Sequence, residues 1–180
     1  TQDDIFDFMS FGFSSLVCPE WSRTDILDAC LKNGFKALEL HHIHLSDIIE
    51  NKPALSEFKT ELSKSGVEDL SIGTALAFHH FEKEAIDTLF NNFQQYIDAG
   101  KILGARYLRV FPNEIPQGKS ASETINQISK NLIAMTNSMT SCEPKIGLET
   151  HGSFYASSAI KEILDKVGST HVGAVWDAHH

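Results

Sequence analysis

The sequence contains no run or stripe of basic residues. Its 180 residues include 15 Lys and Arg against 24 Asp and Glu, which gives a formal net charge of -9. Proteins that bind nucleic acid without sequence preference neutralise its phosphates with Lys and Arg, so this balance argues against a nucleic-acid partner. It leaves open a local basic patch or a phosphate site centred on a metal ion.

Cysteine is also scarce. Cys18, Cys30 and Cys142 lie far apart and form no CxxC pair, and their odd number leaves no complete set of disulfides. Reduced thiols in a cytoplasm are the simplest interpretation. No apolar run approaches the roughly 20 residues of a membrane span, and the acidic N-terminus lacks a signal-peptide pattern. We therefore expect a cytoplasmic protein without a membrane partner.

What the sequence does contain is a regular alternation of two patterns. Short apolar runs typical of buried parallel strands occur at 6–13, 36–40, 69–74, 107–111, 146–149 and 172–176. Amphipathic helical patterns lie between them at 22–33, 53–66, 82–103, 120–135 and 157–167. Ser22 and Ser120 open two of these helices with capping-box spacing, and Trp176 is expected in the core. The alternation predicts an α/β fold with a parallel sheet.

Two observations favour a barrel over a doubly wound sheet. No glycine-rich phosphate loop follows the first predicted strand, as a Rossmann unit would require. Polar residues gather after many of the strands, where the active sites of (β/α)8 barrels are built. They are Glu39, His41, His42, His79, His80, Arg109, Glu149, His151, Asp177, His179 and His180. Because a full barrel takes about 250 residues, we expect residues 1–180 to form one partial TIM-barrel domain. It would be truncated to about six βα units, with strands seven and eight absent.

The most informative segments are IGLETHG and VGAVWDAHH, which carry Glu149 and Asp177 at the ends of neighbouring strands. A buried glutamate must be paired, protonated or bound to a metal, because burying a lone charge is costly. Hard divalent ions favour carboxylate oxygens, and imidazole adds affinity for Mn²⁺, Co²⁺ or Zn²⁺. The pair could therefore supply two metal ligands. The alternatives are an ion pair between Glu149 and Arg109, and a helix-cap role for Asp177 with His180 on a surface loop.

The other polar residues at strand ends also allow two interpretations each. Arg109 could bind a phosphate or carboxylate of a substrate, or form an ion pair with Glu149 or Glu39. Glu39 and His42 could hydrogen-bond a sugar, or have a plain helix-cap or surface role. His79 and His80 could line the mouth of the barrel, or be solvated loop residues.

LETHG followed by VWDAHH resembles the xylose-isomerase-like barrel superfamily of sugar-phosphate isomerases and epimerases. Ketose 3-epimerases, hydroxypyruvate isomerase, inosose dehydratase and the endonuclease IV type of apurinic endonuclease belong to it. FGFSSLVCPEWS and ILDACLKNGFKALEL are similar to the family's opening strand, helix and second strand, and GARYLRVF is similar to its fourth strand. The resemblance covers nearly the whole chain in order.

The resemblance implies roles for particular residues. Glu149 and Asp177 match the family's first two carboxylate ligands of a divalent metal (Mn²⁺, Mg²⁺, Co²⁺ or Zn²⁺), and Glu149 also matches the proton-transferring base of the epimerases. His180, in the WDxxH pattern, matches a histidine that binds substrate oxygens, or a metal in the endonuclease. His151 matches a residue near the mouth. The family's third and fourth ligands, on strands seven and eight, have no counterpart in the sequence.

The implied function is a metal-dependent isomerase or epimerase of a small sugar or sugar phosphate. Glu149 would move a carbon-bound proton through a metal-stabilised enediolate, while Arg109, His42, His80 and His151 would contact the substrate. One alternative is a zinc phosphodiesterase resembling endonuclease IV, with His42 and His80 as ligands. Another is a barrel fragment without catalytic activity. The substrate, the metal and the formation of a homo-oligomer stay open.

Overall fold

A computed structural model describes residues 11–179, and within this range all six predicted strands lie in one parallel sheet. The strands are β1 (Gly12–Ser14), β2 (Ala37–His41), β3 (Asp69–Ala77), β4 (Tyr107–Phe111), β5 (Lys145–Glu149) and β6 (Val172–Val175). The helices are α1 (Arg23–Asn33), α2 (Lys52–Leu62), α3 (Lys83–Leu103), α4 (Ala121–Thr136) and α5 (Ser157–Val167). Part of the first predicted strand, 6–10, lies outside the described residues.

The strands lie side by side in their sequence order, from β1 to β6. A doubly wound sheet would instead reverse its direction of growth at a switch point, which places later strands on the far side of the first. Strands that follow one another around the sheet, each separated by a helix, are the arrangement of a (β/α)8 barrel. The predicted α/β class and the truncated TIM barrel are therefore confirmed.

Side-chain caps determine where the helices begin. Ser22 and Ser120 each accept a hydrogen bond from the backbone of the third helical residue, and Asp25 and Glu123 bond back to them, so both predicted capping boxes are confirmed. The second helix ends at Leu62, earlier than the predicted 66. The N–H and the hydroxyl of Ser65 both donate to the carbonyl oxygen of Leu62, so the chain turns there instead of continuing the helix. Within residues 11–179, no helix is both long and apolar enough to cross a membrane.

The core lies between the outer face of the sheet and the helices. Alternate strand residues such as Leu38, Leu40 and Leu108 are buried there, because successive side chains of a strand point to opposite faces. The residues between them, including Glu39 and Arg109, lie on the inner face of the barrel. The expectation that Trp176 lies in the core is wrong: its side chain is 77% exposed, since no described element covers that end of β6.

Candidate active site

The carboxyl ends of the strands bring the predicted polar residues to one edge of the sheet. Glu149 is the last residue of β5, and His151 follows two positions later. Asp177 follows β6, while His42 and the loop histidine His80 follow β2 and β3. His180, the predicted substrate-binding histidine, lies outside the described residues.

The guanidinium of Arg109 joins the second, fourth and fifth strands. Its Nε donates to Glu39 Oε2 at 2.6 Å, and its Nη2 donates to Glu39 Oε1 at 3.2 Å. Its Nη1 lies 3.0 Å from Glu149 Oε2. The hydroxyl of Ser14, on β1, donates to Glu39 Oε1 at 2.6 Å. Both ion pairs that the sequence left open as alternatives for Arg109 are therefore present together.

Gly73 on β3 makes room for this network between β2 and β4. A Cβ at this position would lie 2.8 Å from Arg109 Nη2 and 2.9 Å from Glu39 Oε1. These are closer than the roughly 3.5–4.0 Å of a favourable non-bonded contact, so a side chain at this position would require Arg109 or Glu39 to shift, whereas glycine lets them meet undisturbed. We did not predict this role, although an isolated glycine inside a strand pattern is a signal of close approach.

Glu149 is the most buried of the predicted site residues, with 7% of its surface exposed. Burial raises the pKa of its carboxyl group, and the negative charges of Asp177 and Glu39 also raise it, against the opposing effects of Arg109 and His151. The net shift is upward. Since His151 Nδ1 lies 3.3 Å from Glu149 Oε1, both carboxylate oxygens have a nitrogen neighbour.

A backbone hydrogen bond ties Asp177 to the end of β5. The N–H of Asp177 donates to Thr150 Oγ1 at 3.0 Å, and Thr150 directly follows Glu149 in the chain. The Oδ1 atom of Asp177 accepts the N–H of His179 at 2.8 Å, which is the local turn contact that Asp commonly forms two residues on. Asp177 thus has the cap-like bond that was its alternative interpretation, while it also stays close enough to influence Glu149.

The histidines at the ends of β2 and β3 form two pairs of neighbouring rings. The ring centroids of His41 and His42 are 4.3 Å apart, and those of His79 and His80 are 4.4 Å apart. Burial lowers the pKa of His41 to about 4, and the charges of His42 and Arg109 act in the same direction. Burial also lowers the pKa values of His42 and His79. All three shifts favour the uncharged form of the ring.

Asn131 of α4 holds the loop that carries the second pair. Its Nδ2 donates to the carbonyl oxygens of Phe78 and His80 at 2.9 and 3.2 Å. Nothing in the sequence indicated this role, because Asn131 lies inside an ordinary amphipathic helix. In residues 11–179, no hydrogen bond or ion pair joins His42 or His80 to Glu149. The two histidines lie after β2 and β3, whereas Glu149 ends β5.

Glu149 and Asp177 are the donors around which a divalent cation would bind. Burial is the main cause of the raised pKa of Glu149, and the like charge of Asp177 adds to it. A cation between the two carboxylates would relieve their repulsion. Carboxylate oxygens suit Mg²⁺ and Mn²⁺, and the imidazole of His151 would suit Mn²⁺, Co²⁺ or Zn²⁺. Across residues 11–179, no group of three or more His, Cys, Asp or Glu side chains is arranged to hold a metal ion. Among the described residues, the two carboxylates therefore do not form a metal site by themselves, and further ligands would be needed.

Solved structures share this fold at low sequence identity. An IolI protein with a bound zinc atom has a TM-score of 0.81 and 18% identity, and the match covers 92% of this chain and 62% of that one. D-psicose 3-epimerase with D-tagatose, from Clostridium cellulolyticum H10, has a TM-score of 0.79 and 13% identity, with 94% and 63% covered. The probable 3-DHS dehydratase AsbF from Bacillus anthracis has a TM-score of 0.72 and 16% identity, again with 94% and 63% covered. The chain thus spans less than two thirds of each of these proteins.

The sequence itself identifies the family. No curated protein matches it significantly, but the family model described as xylose isomerase-like TIM barrel matches residues 27–180. The matched range includes β2 to β6 and every predicted site residue. The chain therefore belongs to the xylose isomerase-like TIM barrel family.

Proposed function

We propose that the protein is a divalent-metal-dependent isomerase or epimerase of sugars, with Glu149 as the proton-transferring base. The observation that carries the proposal is the position of Glu149. It is a buried carboxylate at the end of β5, and burial, with a smaller contribution from the charge of Asp177 after β6, raises its pKa. The IolI protein with a zinc atom and the epimerase with D-tagatose share the fold, which supports proposing a metal ion and a sugar as ligands of this protein.

Glu149 and Asp177 would hold the metal, together with ligands from outside the described residues. A bound divalent cation would act as a Lewis acid, stabilising negative charge as it develops on the substrate's oxygens. The N–H of Asp177 is held by Thr150, which fixes the spacing between the two strand ends. Arg109 neutralises part of the negative charge that the two carboxylates concentrate there.

Glu149 would remove a proton from the carbon next to the substrate's carbonyl. In an isomerisation it would return the proton to the neighbouring carbon, and in an epimerisation a second Glu from outside the described residues would deliver a proton from the opposite face. A general base works best when its pKa lies near the working pH, and the pKa of Glu149 is shifted in that direction. Its Oε2 is held by Arg109 at 3.0 Å, which keeps the carboxylate from rotating. Proton transfer is then directed to the other oxygen, Oε1, beside His151.

Histidine side chains would recognise the hydroxyl groups of the substrate. An uncharged ring donates one hydrogen bond and accepts another, which suits a polyol, and the pKa of His42 is lowered. We place His42, His80, His151 and His180 in this role. Arg109 already contacts two carboxylates, and its contact with a substrate phosphate stays a prediction. The single partial domain, the cytoplasmic location and the homo-oligomer also stay predictions.

The proposal is tested by incubating the purified protein and Mn²⁺ with a panel of ketoses and ketose phosphates and separating the products by chromatography. The wild type is expected to form an isomer or epimer of at least one of them. Glu149→Gln should lower turnover by about 10²–10⁴-fold, the usual contribution of a general base. The matched control is Glu68→Gln, which removes an exposed carboxylate paired only with Lys36. Equal activity of Glu149→Gln and the control, or cleavage of abasic DNA in place of isomerisation, would contradict the proposal.

A further inference from the structure

We infer that Glu39 is a positioning residue of the candidate active site, acting on Glu149 through Arg109. The inference rests on the proposed function for its catalytic meaning. Its physical content is that Glu39 on β2 and Glu149 on β5 are energetically coupled because they share one guanidinium. The sequence left several interpretations of Glu39 open: a hydrogen bond to a sugar, a helix-cap or surface role, or an ion pair with Arg109.

Different nitrogen atoms of the Arg109 guanidinium contact different carboxylates. Glu39 takes the Nε and Nη2 hydrogens in a two-point contact, at 2.6 and 3.2 Å. Because the guanidinium is planar and rigid, this contact also fixes the direction of Nη1, which reaches Glu149 Oε2 at 3.0 Å. Glu39 thereby determines where Arg109 holds the carboxylate of Glu149.

Glu39 is itself held in place. Its Oε1 accepts the hydroxyl of Ser14 at 2.6 Å, so its carboxylate is fixed by β1 as well as by β4. Gly73 leaves the space in β3 through which the contact with Arg109 passes. Strands β1, β2, β4 and β5 therefore each contribute one side chain to the network. Strand β3 contributes the space at Gly73.

Burial makes the coupling strong. Arg109 is 8% exposed and Glu149 is 7% exposed, and a buried charge without a partner is severely destabilising. With both glutamates ionised, the three groups carry one net negative charge. Removing the charge of Glu39 leaves the Arg109–Glu149 pair neutral and frees the guanidinium to turn. Both effects make the neighbourhood of Glu149 and Asp177 less favourable for a cation.

The coupling is tested first without metal or substrate, by a double-mutant cycle on the free energy of unfolding. The variants are Glu39→Gln, Glu149→Gln and their combination. Each single variant leaves Arg109 one carboxylate, whereas the double variant leaves a buried guanidinium without any. We expect the folding equilibrium constant of the double variant to lie about tenfold below the product of the single effects, within the range found for residues of one network. A parallel cycle with Glu68→Gln and Glu149→Gln should be additive. Additivity in the Glu39 cycle would overturn the inference.

The second arm measures Mn²⁺ binding by titration calorimetry, which a purely structural role would not change in a folded variant. Glu39→Gln should weaken Mn²⁺ binding by about 10- to 100-fold, as residues that support metal ligands typically do, while Glu68→Gln should not. If Glu39→Gln fails to fold, Ser14→Ala frees the same carboxylate without changing its charge and should still weaken binding. Unchanged affinity in a folded Glu39 or Ser14 variant would overturn the inference and leave the proposed function standing. A wild type that binds no divalent ion would contradict the proposed function instead, and the double-mutant cycle would then decide the inference.

Discussion

Replacing Gly73 with alanine gives the most direct test of the network on the inner face of the barrel. The added methyl group would lie 2.8 Å from Arg109 Nη2 and 2.9 Å from Glu39 Oε1. Neither side chain can simply retreat, because Ser14 holds Glu39 and Glu149 holds the buried Arg109. The substitution must either strain the network or separate the ion pair.

Both outcomes have known magnitudes. Overpacking costs about 1–3 kcal/mol, and breaking a buried pair costs about 3–5 kcal/mol. We expect an intermediate loss of about 2–4 kcal/mol in the free energy of unfolding, because the half-buried Glu39 can be partly solvated once displaced. For a chain of this length, that corresponds to a decrease in Tm of about 4–16 °C.

The assay is equilibrium unfolding in urea, with the m-value checked so that only stability is compared. Gly173→Ala is the matched control: Gly173 also lies in a strand, and a Cβ there would meet no atom within 4 Å. Its effect should stay within about 0.5 kcal/mol. If Gly73→Ala were as stable as Gly173→Ala, Gly73 would not be needed for the contact between Glu39 and Arg109, and the account of the network would be wrong.

Two further predictions concern the histidine-bearing strand ends. The pKa of His41 is lowered to about 4 by burial and by the neighbouring charges of His42 and Arg109, with Glu39 opposing them, so its NMR titration should show a midpoint near that value. Since an unfolded histidine takes up a proton below about pH 6.5, the contribution of His41 to stability should be complete above that pH and fall as the pH drops towards 4. A midpoint near 6.5 would contradict its burial. Asn131→Ala should cost about 1–3 kcal/mol, because it leaves the buried carbonyl of Phe78 without its donor. Exposed Asn33→Ala provides the comparison, and equal stability of the two variants would refute the role of Asn131.

The backbone of the barrel could be predicted from the sequence because its signals are local. Capping boxes at Ser22 and Ser120 and the apolar runs of the strands each depend on residues close together in the chain. The third strand was predicted too short, since it continues to Ala77. Its last residues pair with β4 only after a shift of register between Gly73 and Ala77, and a sequence pattern does not record such a shift.

The candidate site was only partly predictable, for a physical reason. The predicted strand boundaries alone place Glu149 and Asp177 at strand ends, without any knowledge of side-chain contacts. The choice of Arg109 between Glu39 and Glu149 depends on how far neighbouring strands are staggered and on the gap at Gly73. These are properties of the assembled sheet. The sequence therefore left the Arg109–Glu39 and Arg109–Glu149 ion pairs as alternatives, although the structure contains both.

Hydrogen exchange at carbon reports whether Glu149 moves a proton to and from the substrate. A ketose that the protein converts is incubated in D₂O with Mn²⁺, and proton NMR follows the signal of the hydrogen next to the carbonyl. We expect the wild type and Glu68→Gln to show metal-dependent loss of that signal. With Glu149→Gln, we expect no loss above the uncatalysed rate. Exchange that persists undiminished in Glu149→Gln would contradict the account.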